Sequence, residues 1–323
     1  MLEDSPFTHG PGKPQLIRQE IFVSRRLRGV GYLWPVITRL AWVTTAAARG
    51  RDDDEPLAVA ALERAEVAVD VVDWDDPTVP WSDYDRVILR SVWDYPDRLP
   101  EFRGWLRSVH DQTDLQNSID LVEWNLDKHY LAELQRSGVP TTPTLFVEPG
   151  DRFEPPEGDY VVKPAVGAGS RDAASYGPEQ VELAAAHVRR LHRQGSAVLV
   201  QPLLTSVMPE GEWPLIYLGG AYSHAASKRV VLPHAGTVDD LFAAEENREY
   251  DADDDQLAVA DAAIEVVTRR FGAPLYARVD LVRDNAGEIC VLELELVEPS
   301  LFLPQASPEA VDRVVATFIA EGR

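Results

Sequence analysis

Hydrophobic positions along the chain fall into two rhythms. From Arg39 onward, short apolar or β-branched runs at Leu40–Val43, Val67–Val72 and Arg86–Leu89 alternate with stretches at helical spacing, Asp52–Glu66 and Pro100–Val109. Runs this short and this apolar suit strands buried on both faces. Strand alternating with helix predicts an α/β domain on a parallel sheet over residues 39–120. A second portion, 121–204, opens with a helical stretch, Trp124–Ser137, stopped by Gly138. Val139-Pro140-Thr141-Thr142-Pro143-Thr144 must then be extended, because a residue before proline is pushed out of the helical region. Strand Asp159–Lys163, a loop of small residues over 165–172, helix Pro178–Gln194 and strand Ala197–Leu204 complete a small α+β unit. The rest, 205–323, reads as antiparallel, with hairpins turning at Gly219-Gly220 and at 284–287 around a long helix, Asp255–Arg270. The acidic run 251–255 is read as that helix's start, since acids favour the positive end of a helix. Residues 1–38 share neither rhythm and are expected to be an N-terminal extension.

The second hairpin carries chemistry. Alternation along Tyr276–Val282 and Val291–Leu296 puts Val279, Leu281, Leu292, Leu294 and Leu296 on one face, and Arg278, Asp280, Glu293 and Glu295 on the other. With 284–288 as the loop, Asp280 faces Glu293 and Arg278 faces Glu295. Opposed carboxylates repel, so this face needs positive charge. Oxygen-only ligands of this kind suit Mg²⁺ better than zinc. A solvated polar face on an exposed hairpin is the plain alternative. Basic residues lie elsewhere in the chain. Lys163 ends a strand just before Gly167-Ala168-Gly169-Ser170-Arg171, whose N–H groups can approach phosphate closely, though a Gly-rich turn is often only a turn. Lys128 reads as a helix-surface lysine, and Lys228 with Arg229 as edge-strand charges. Trp93 and Trp213 can line a pocket or pack in a core.

Composition narrows the function. Against 54 acidic side chains stand 31 basic ones, a net charge of −23, which repels nucleic acid and anionic membranes. An anionic substrate must therefore meet a local basic cluster or a metal ion. The one cysteine, Cys290, forms no internal disulfide, and neither a membrane-spanning run nor a signal-peptide pattern is recognised, so the expected location is the cytoplasm. The histidines show no metal-binding spacing.

The order of these motifs resembles the ATP-grasp superfamily over about residues 120–303, in particular its glutathione synthetases and ribosomal-protein-modifying glutamate ligases. Asp127-Lys128 with its extended exit is similar to the family's lysine helix, and Val162-Lys163-Pro164 to its second ATP lysine. Gly167, Ala168, Gly169 and Ser170 look like the loop over the phosphates, and Gln201, Pro202, Leu203 and Leu204 like the hinge that holds adenine. Glu212 and Lys228 follow the family's acidic residue and phosphate-contacting base, and Asp280, Glu293 and Glu295 its magnesium ligands. Glu295 stands where the superfamily mostly has Asn, and Gln201 where an acid is common. The phrases Val87–Tyr95, Val162–Ala165 and Leu292–Leu301 are similar to the cyclo-ligase family of cycloserine biosynthesis, which closes a small ring from O-ureido-serine.

The resemblance implies an ATP-grasp fold of mixed α/β and α+β class, with a parallel-sheet N-terminal domain, a central α+β subdomain and a C-terminal antiparallel sheet. It implies ATP and a pair of Mg²⁺ ions as cofactors, and a small-molecule carboxylate and amine joined through an acyl phosphate. Lys228 and Arg278 are the expected catalytic residues, with Arg278 steadying the acyl phosphate or simply pairing with Glu295. Arg90, Asp94 and Ser300 are expected to hold the substrate by its carboxylate, its amine and the pocket wall. A phosphotransferase and a nucleotide-binding protein without turnover are the rival readings, and a homo-oligomer is left open.

Overall fold

The computed structural model describes residues 37–230 and 245–320, so the expected N-terminal extension lies outside the described residues up to position 36. Strand β1 (Arg39–Thr44), helix α1 (Glu55–Arg64), β2 (Ala68–Asp73), β3 (Arg86–Ser91), α2 (Leu99–His110) and β4 (Asp114–Gln116) follow in sequence. They form a parallel sheet in the order β2-β1-β3-β4. Both faces of its middle strands are dry: Leu40 and Trp42 of β1 pack in one cluster, Ala41 and Val43 in another, hence the unbroken apolar runs. The three residues of β4 are too few to show a periodicity in the sequence.

The stretch expected as one helix is two, α3 (Ile119–Asn125) and α4 (Tyr130–Arg136). Asp127 breaks it by accepting the backbone N–H and a ring N–H of His129, while the Lys128 N–H leaves the helix for the Ala165 carbonyl at 2.9 Å. Lys128 therefore occupies a turn and is only 7% exposed, in place of the solvent-facing helix position expected.

The second sheet takes β5 (Leu145–Val147), β6 (Tyr160–Pro164), β7 (Ala174–Tyr176) and β8 (Val198–Pro202) in the antiparallel order β5-β8-β6-β7. Helix α5 (Val181–Arg193) covers it, burying Ala184, Val188 and Leu191 against Val162 and Val200. The third sheet follows α6 (Val207–Glu210) and contains β9 (Trp213–Leu218), β10 (Ala221–Val230), β11 (Glu245–Tyr250), β12 (Tyr276–Arg283) and β13 (Ile289–Glu295), in the order β11-β10-β9-β12-β13. Helix α7 (Asp254–Phe271) lies against it, and its start is the acidic run: Asp253 caps the Gln256 N–H at 2.8 Å while the Gln256 side chain returns to the Asp253 N–H at 3.0 Å. This reciprocal cap explains why acids gather there. Helix α8 (Pro308–Phe318) sends Val314 and Phe318 into the cluster that joins the first and third sheets. Among the described residues, no helix is long and apolar enough to cross a membrane.

Strand β13 is the sheet's edge, yet its outer backbone groups are covered. Val291 exchanges hydrogen bonds with Pro140 and Thr142 at 2.9 Å each, which uses the extended segment the prolines impose. The Asn125 side chain takes the Leu296 N–H at 2.7 Å and gives to the Leu294 carbonyl at 2.8 Å, and the Tyr130 hydroxyl accepts the Leu294 N–H at 3.0 Å. Because each buried backbone group stripped of its partner costs about 1–3 kcal/mol, Asn125→Ala is expected to destabilise the fold by about 2–4 kcal/mol. Urea unfolding monitored by circular dichroism checks this; a loss under about 0.5 kcal/mol is that of an ordinary surface position and would remove Asn125 from the support of the strand.

Candidate active site

The hairpin register is as expected, with one bulge. Arg278 pairs with Glu295, Asp280 with Glu293 and Arg283 with Ile289, but the register shifts after Asp280 so that Leu281 meets Val291. Leu292 is the extra residue. It leaves the apolar face assigned to it and turns to the cavity side with Leu204 and Val282, while Val291 takes its place in the core. A bulge absorbs one residue without disturbing the pairing on either side.

The charged face of the hairpin looks into a cavity of about 720 Å³, within the range of small-molecule and cofactor sites. Cations reach it from each neighbouring element. Lys128 gives a hydrogen bond to the Gly167 carbonyl at 2.7 Å and pairs with Glu293 at 3.0 Å. Lys163, at the end of β6, lies 3.9 Å from the other oxygen of Glu293. Lys228 stands 2.8 Å from Glu212 and 3.4 Å from Asp280. Its strand, β10, runs between β9 and β11 rather than at the sheet's edge, and it is 8% exposed, which removes the reading as an edge charge. Gly211 brings Glu212 there: its φ of +84° lets Glu212 bridge to the Lys228 backbone, and a Cβ on it would meet the Lys228 carbonyl at 2.8 Å. Arg278 grips both oxygens of Asp280 at 2.7 and 2.9 Å and also reaches Glu295.

Burial disfavours every one of these charges, and neighbours decide which survive. Arg278 and Lys228 overcome burial at Asp280, and Lys128 and Lys163 do so at Glu293, so both carboxyls sit below their ordinary range. Burial lifts Glu295 to about 7 despite Arg278, with Asp280 and Glu293 adding to the rise. Glu298, three residues on, is lifted to about 8 by burial and by Glu295. Burial likewise pushes Lys163 below its usual value, Glu293 being too distant to restore it. Among the described residues no three acids, histidines or cysteines converge as a ready-made metal cage. Each hairpin acid faces a cation, the positive charge that opposed carboxylates need. The donor set still fits Mg²⁺, which is commonly held by one or two carboxylates together with substrate phosphates rather than by an all-protein cage. Asp280 and Glu293 stay ionised, and the acids outnumber the cations around them.

The small-residue loop forms one side of the cavity, with Gly167, Ala168, Gly169 and Ser170 on its wall. Gly169 and Ser170 have φ of +62° and +59°, a left-handed stretch that glycine adopts freely and serine only rarely. Gln201, Pro202, Leu203 and Leu204 line the far side. The Gln201 side chain is turned to Thr144 at 2.9 Å. Leu203 donates to the Asp159 carbonyl at 2.9 Å, so by strand alternation the Pro202 carbonyl faces the opposite edge.

At the other end the expectations shift. Ser300 lines the cavity, but Arg90 and Asp94 do not. Arg90 is 1% exposed, lies between the rings of Trp42 and Tyr276 at 5.4 and 5.1 Å, and gives a hydrogen bond to the Pro299 carbonyl. Asp94 accepts from Thr45 and from the Trp74 indole at 2.8 and 2.9 Å. Arg90 lies at the C-terminal end of β3 and Asp94 just beyond it, and both are committed to holding the wall. The wall itself is Trp93, Tyr95, Glu298 and Phe302. Of these only Trp93 was singled out in the sequence; the position of Glu298 just past the metal strand was a signal for it. Trp213 is core, stacked on Tyr250 at 6.2 Å.

A parallel sheet followed by two antiparallel sheets, with lysines from both of the latter facing a carboxylate hairpin, defines an ATP-grasp ligase, an ATP-dependent enzyme that forms carbon–nitrogen bonds. A family model described as "D-cycloserine synthetase DcsG, N-terminal domain" matches residues 40–117. The cycloserine biosynthesis protein DcsG of Streptomyces lavendulae is 39% identical over 277 residues, 82% of this chain and 92% of that protein. The crystal structure of D-cycloserine synthetase DcsG superposes with a TM-score of 0.80 at 37% identity, covering 87% of this chain and 98% of that one. D-alanine–D-alanine ligase from Bacillus anthracis shares the fold at a TM-score of 0.60 and 14% identity, over 87% of this chain and 96% of its own. The chain belongs to the DcsG family of ATP-grasp ligases.

The loop's far end rests on α5, where Arg190 pairs with Asp172 at 2.7 Å and His187 meets the Tyr176 hydroxyl at 2.9 Å. Burial, and then Arg190, hold His187 down at about 4, against 6.5 for a free imidazole. The folded state thus refuses a proton that the unfolded chain accepts, so this contribution is complete above pH 6.5 and is lost as pH falls towards 4. The melting temperature of the native protein relative to His187→Gln is expected to fall by several degrees between pH 7 and pH 4. Scanning calorimetry of the two at matched pH checks it, and a constant gap would mean that His187 titrates normally.

Proposed function

We propose that this enzyme uses ATP and Mg²⁺ to activate the carboxylate of an O-substituted serine, O-ureido-serine being the candidate, and closes a ring with a nitrogen of the same molecule. The observation that supports this reading best is the gathering of Lys128, Lys163, Lys228 and Arg278 around Asp280 and Glu293 at one buried site. The 39% identity to a cycloserine biosynthesis protein supports the ring-closing outcome.

In this reading the substrate carboxylate attacks the γ-phosphorus of ATP and ADP leaves. The ring nitrogen then attacks the acyl carbon and expels inorganic phosphate. No protein nucleophile is needed. Asp280, Glu293 and Glu295 would hold the pair of Mg²⁺ ions, which supply positive charge to the phosphate oxygens. Lys128 and Lys163 neutralise the nucleotide, Lys228 meets the transferring phosphoryl group, and the N–H groups of the Gly167–Ser170 loop cradle it. The Pro202 carbonyl and the Leu203–Leu204 backbone receive adenine. Arg278 has five N–H donors, of which four go to Asp280, Glu295 and the Ser300 carbonyl, leaving one for the acyl phosphate. Trp93, Tyr95 and Phe302 keep water from that reactive anhydride.

The portions 39–120, 121–204 and 205–323 then serve as substrate, nucleotide-covering and metal-bearing parts. Cys290, buried beside Thr142 at 3.6 Å, fits a reducing cytoplasm.

The test is ADP release coupled to hydroxylamine trapping across amino acids and O-substituted serines. ADP with a trapped hydroxamate, abolished by chelation and lowered at least ~10²-fold in kcat by Lys228→Met, is the expected result. ADP without hydroxamate would identify a phosphotransferase instead.

A further inference from the structure

One acid in the cavity wall lacks a counter-charge. Glu298 is 7% exposed and lines the cavity with Trp93, Tyr95 and Ser300. The Trp93 indole N–H gives to its backbone carbonyl at 3.3 Å, fixing the turn, and the Tyr95 hydroxyl lies against its carboxylate. The cations that act on it, Lys128 and Arg278, are committed elsewhere: Lys128 to Glu293 at 3.0 Å and to the Gly167 carbonyl at 2.7 Å, Arg278 to Asp280 and Glu295. Among the described residues none of the lysine and arginine pairs at this site includes Glu298.

A buried acid without a counter-charge is costly, and a glutamine or leucine would fill the same space without that cost. Charge complementarity selects what belongs beside it. A carboxylate that shares the cavity wall with Trp93 and Tyr95 suits an ammonium group, to which it offers a charge-assisted hydrogen bond away from bulk water. The site's other charges fit the opposite end of such a molecule, since the spare N–H of Arg278 lies on the same wall.

Building on the ligase reading above, we infer that Glu298 binds the free ammonium group of an amino-acid substrate while the neighbouring carboxylate is activated. The pairing also decides which nitrogen reacts. An ammonium held by a carboxylate keeps its proton and has no lone pair to attack the acyl phosphate, so the second, uncharged nitrogen closes the ring. Glu298 is thus both the specificity determinant for an amino acid and the guard against attack by the wrong amine.

The experiment compares O-ureido-serine with its des-amino analogue, O-ureido-3-hydroxypropanoate, in the wild type, Glu298→Gln and Tyr95→Phe, with ATP and Mg²⁺ saturating. Wild type is expected to favour the amino acid by about 100-fold in kcat/KM. Glu298→Gln is expected to bring that ratio near unity through KM for the amino acid, with KM for ATP within about twofold. Tyr95→Phe shifts it the same way by less, and serves if Glu298→Gln folds poorly. A wild type that is active but indifferent to the amine, or a Glu298→Gln enzyme that keeps the preference and loses ATP affinity instead, overturns this inference and leaves the ligase reading standing. No ADP from any acid tested would sink the ligase reading and this inference with it.

Discussion

A buried balance of opposite charges governs this protein. Glu212, Glu293, Glu295 and Glu298 share one cavity with Lys128, Lys163, Lys228 and Arg278, Asp280 is buried against Lys228 and Arg278, and nearly every local feature serves that balance. Two acids opposed across a hairpin would ordinarily drive it apart. Here Asp280 and Glu293 face each other and both remain ionised, because cations approach from different directions: Arg278 and Lys228 on one side, Lys128 and Lys163 on the other. Arg278 is irreplaceable by lysine in this role. Its planar fork spans Asp280 and Glu295 at once, whereas an ammonium would satisfy one of them.

The same balance explains why the edge strand is so heavily tied. The acids function only if β13 keeps its register, since a slip of one residue would turn Glu293 and Glu295 into the core. An unprotected edge is prone to such slips. Asn125, Tyr130 and the Pro140–Thr142 segment occupy the strand's outer hydrogen-bonding groups, and Asn125 and Tyr130 flank the Lys128 turn. The turn that positions Lys128 thus also pins the carboxylate strand, so the lysine and the Glu293 it pairs with are set by one piece of chain.

Legibility in the sequence followed the range of the interactions. The parallel sheet could be read because its middle strands are apolar at every position, and the hairpin's pairing because alternation and a five-residue loop fix it. The bulge at Leu292 could not, since one extra apolar residue in an apolar strand leaves no trace in the pattern. Lys128 was misplaced on a helix because the competitor, the Asp127 side chain taking the His129 N–H, is a choice between two local hydrogen bonds that propensity does not resolve. Lys228 looked like an edge charge because β11 has no apolar rhythm, its exposures alternating little along Glu245–Tyr250. For Lys228 the deciding contacts, with the strands on either side, lie in other elements.

Arg90 shows what such distance does to a functional reading. An arginine at the C-terminal end of a parallel strand invites assignment to an anionic ligand, yet its charge is spent on the protein. It gives to the Pro299 carbonyl and stands 3.8 Å from Asp54, which accepts the N–H groups of both Leu301 and Leu303. His224 takes hold of the Leu301 carbonyl at 2.6 Å and Arg278 of the Ser300 carbonyl at 3.4 Å. The short segment after β13 is therefore gripped residue by residue, and Phe302 is held at a left-handed φ of +53° that a side chain of its size adopts only under such constraint. Its ring then lies under the Arg278 guanidinium, 5.5 Å away. The parallel sheet does not reach the cavity through Arg90; it shapes the backbone that presents Ser300, Phe302 and Arg278 to it, and so acts on the site through geometry rather than contact.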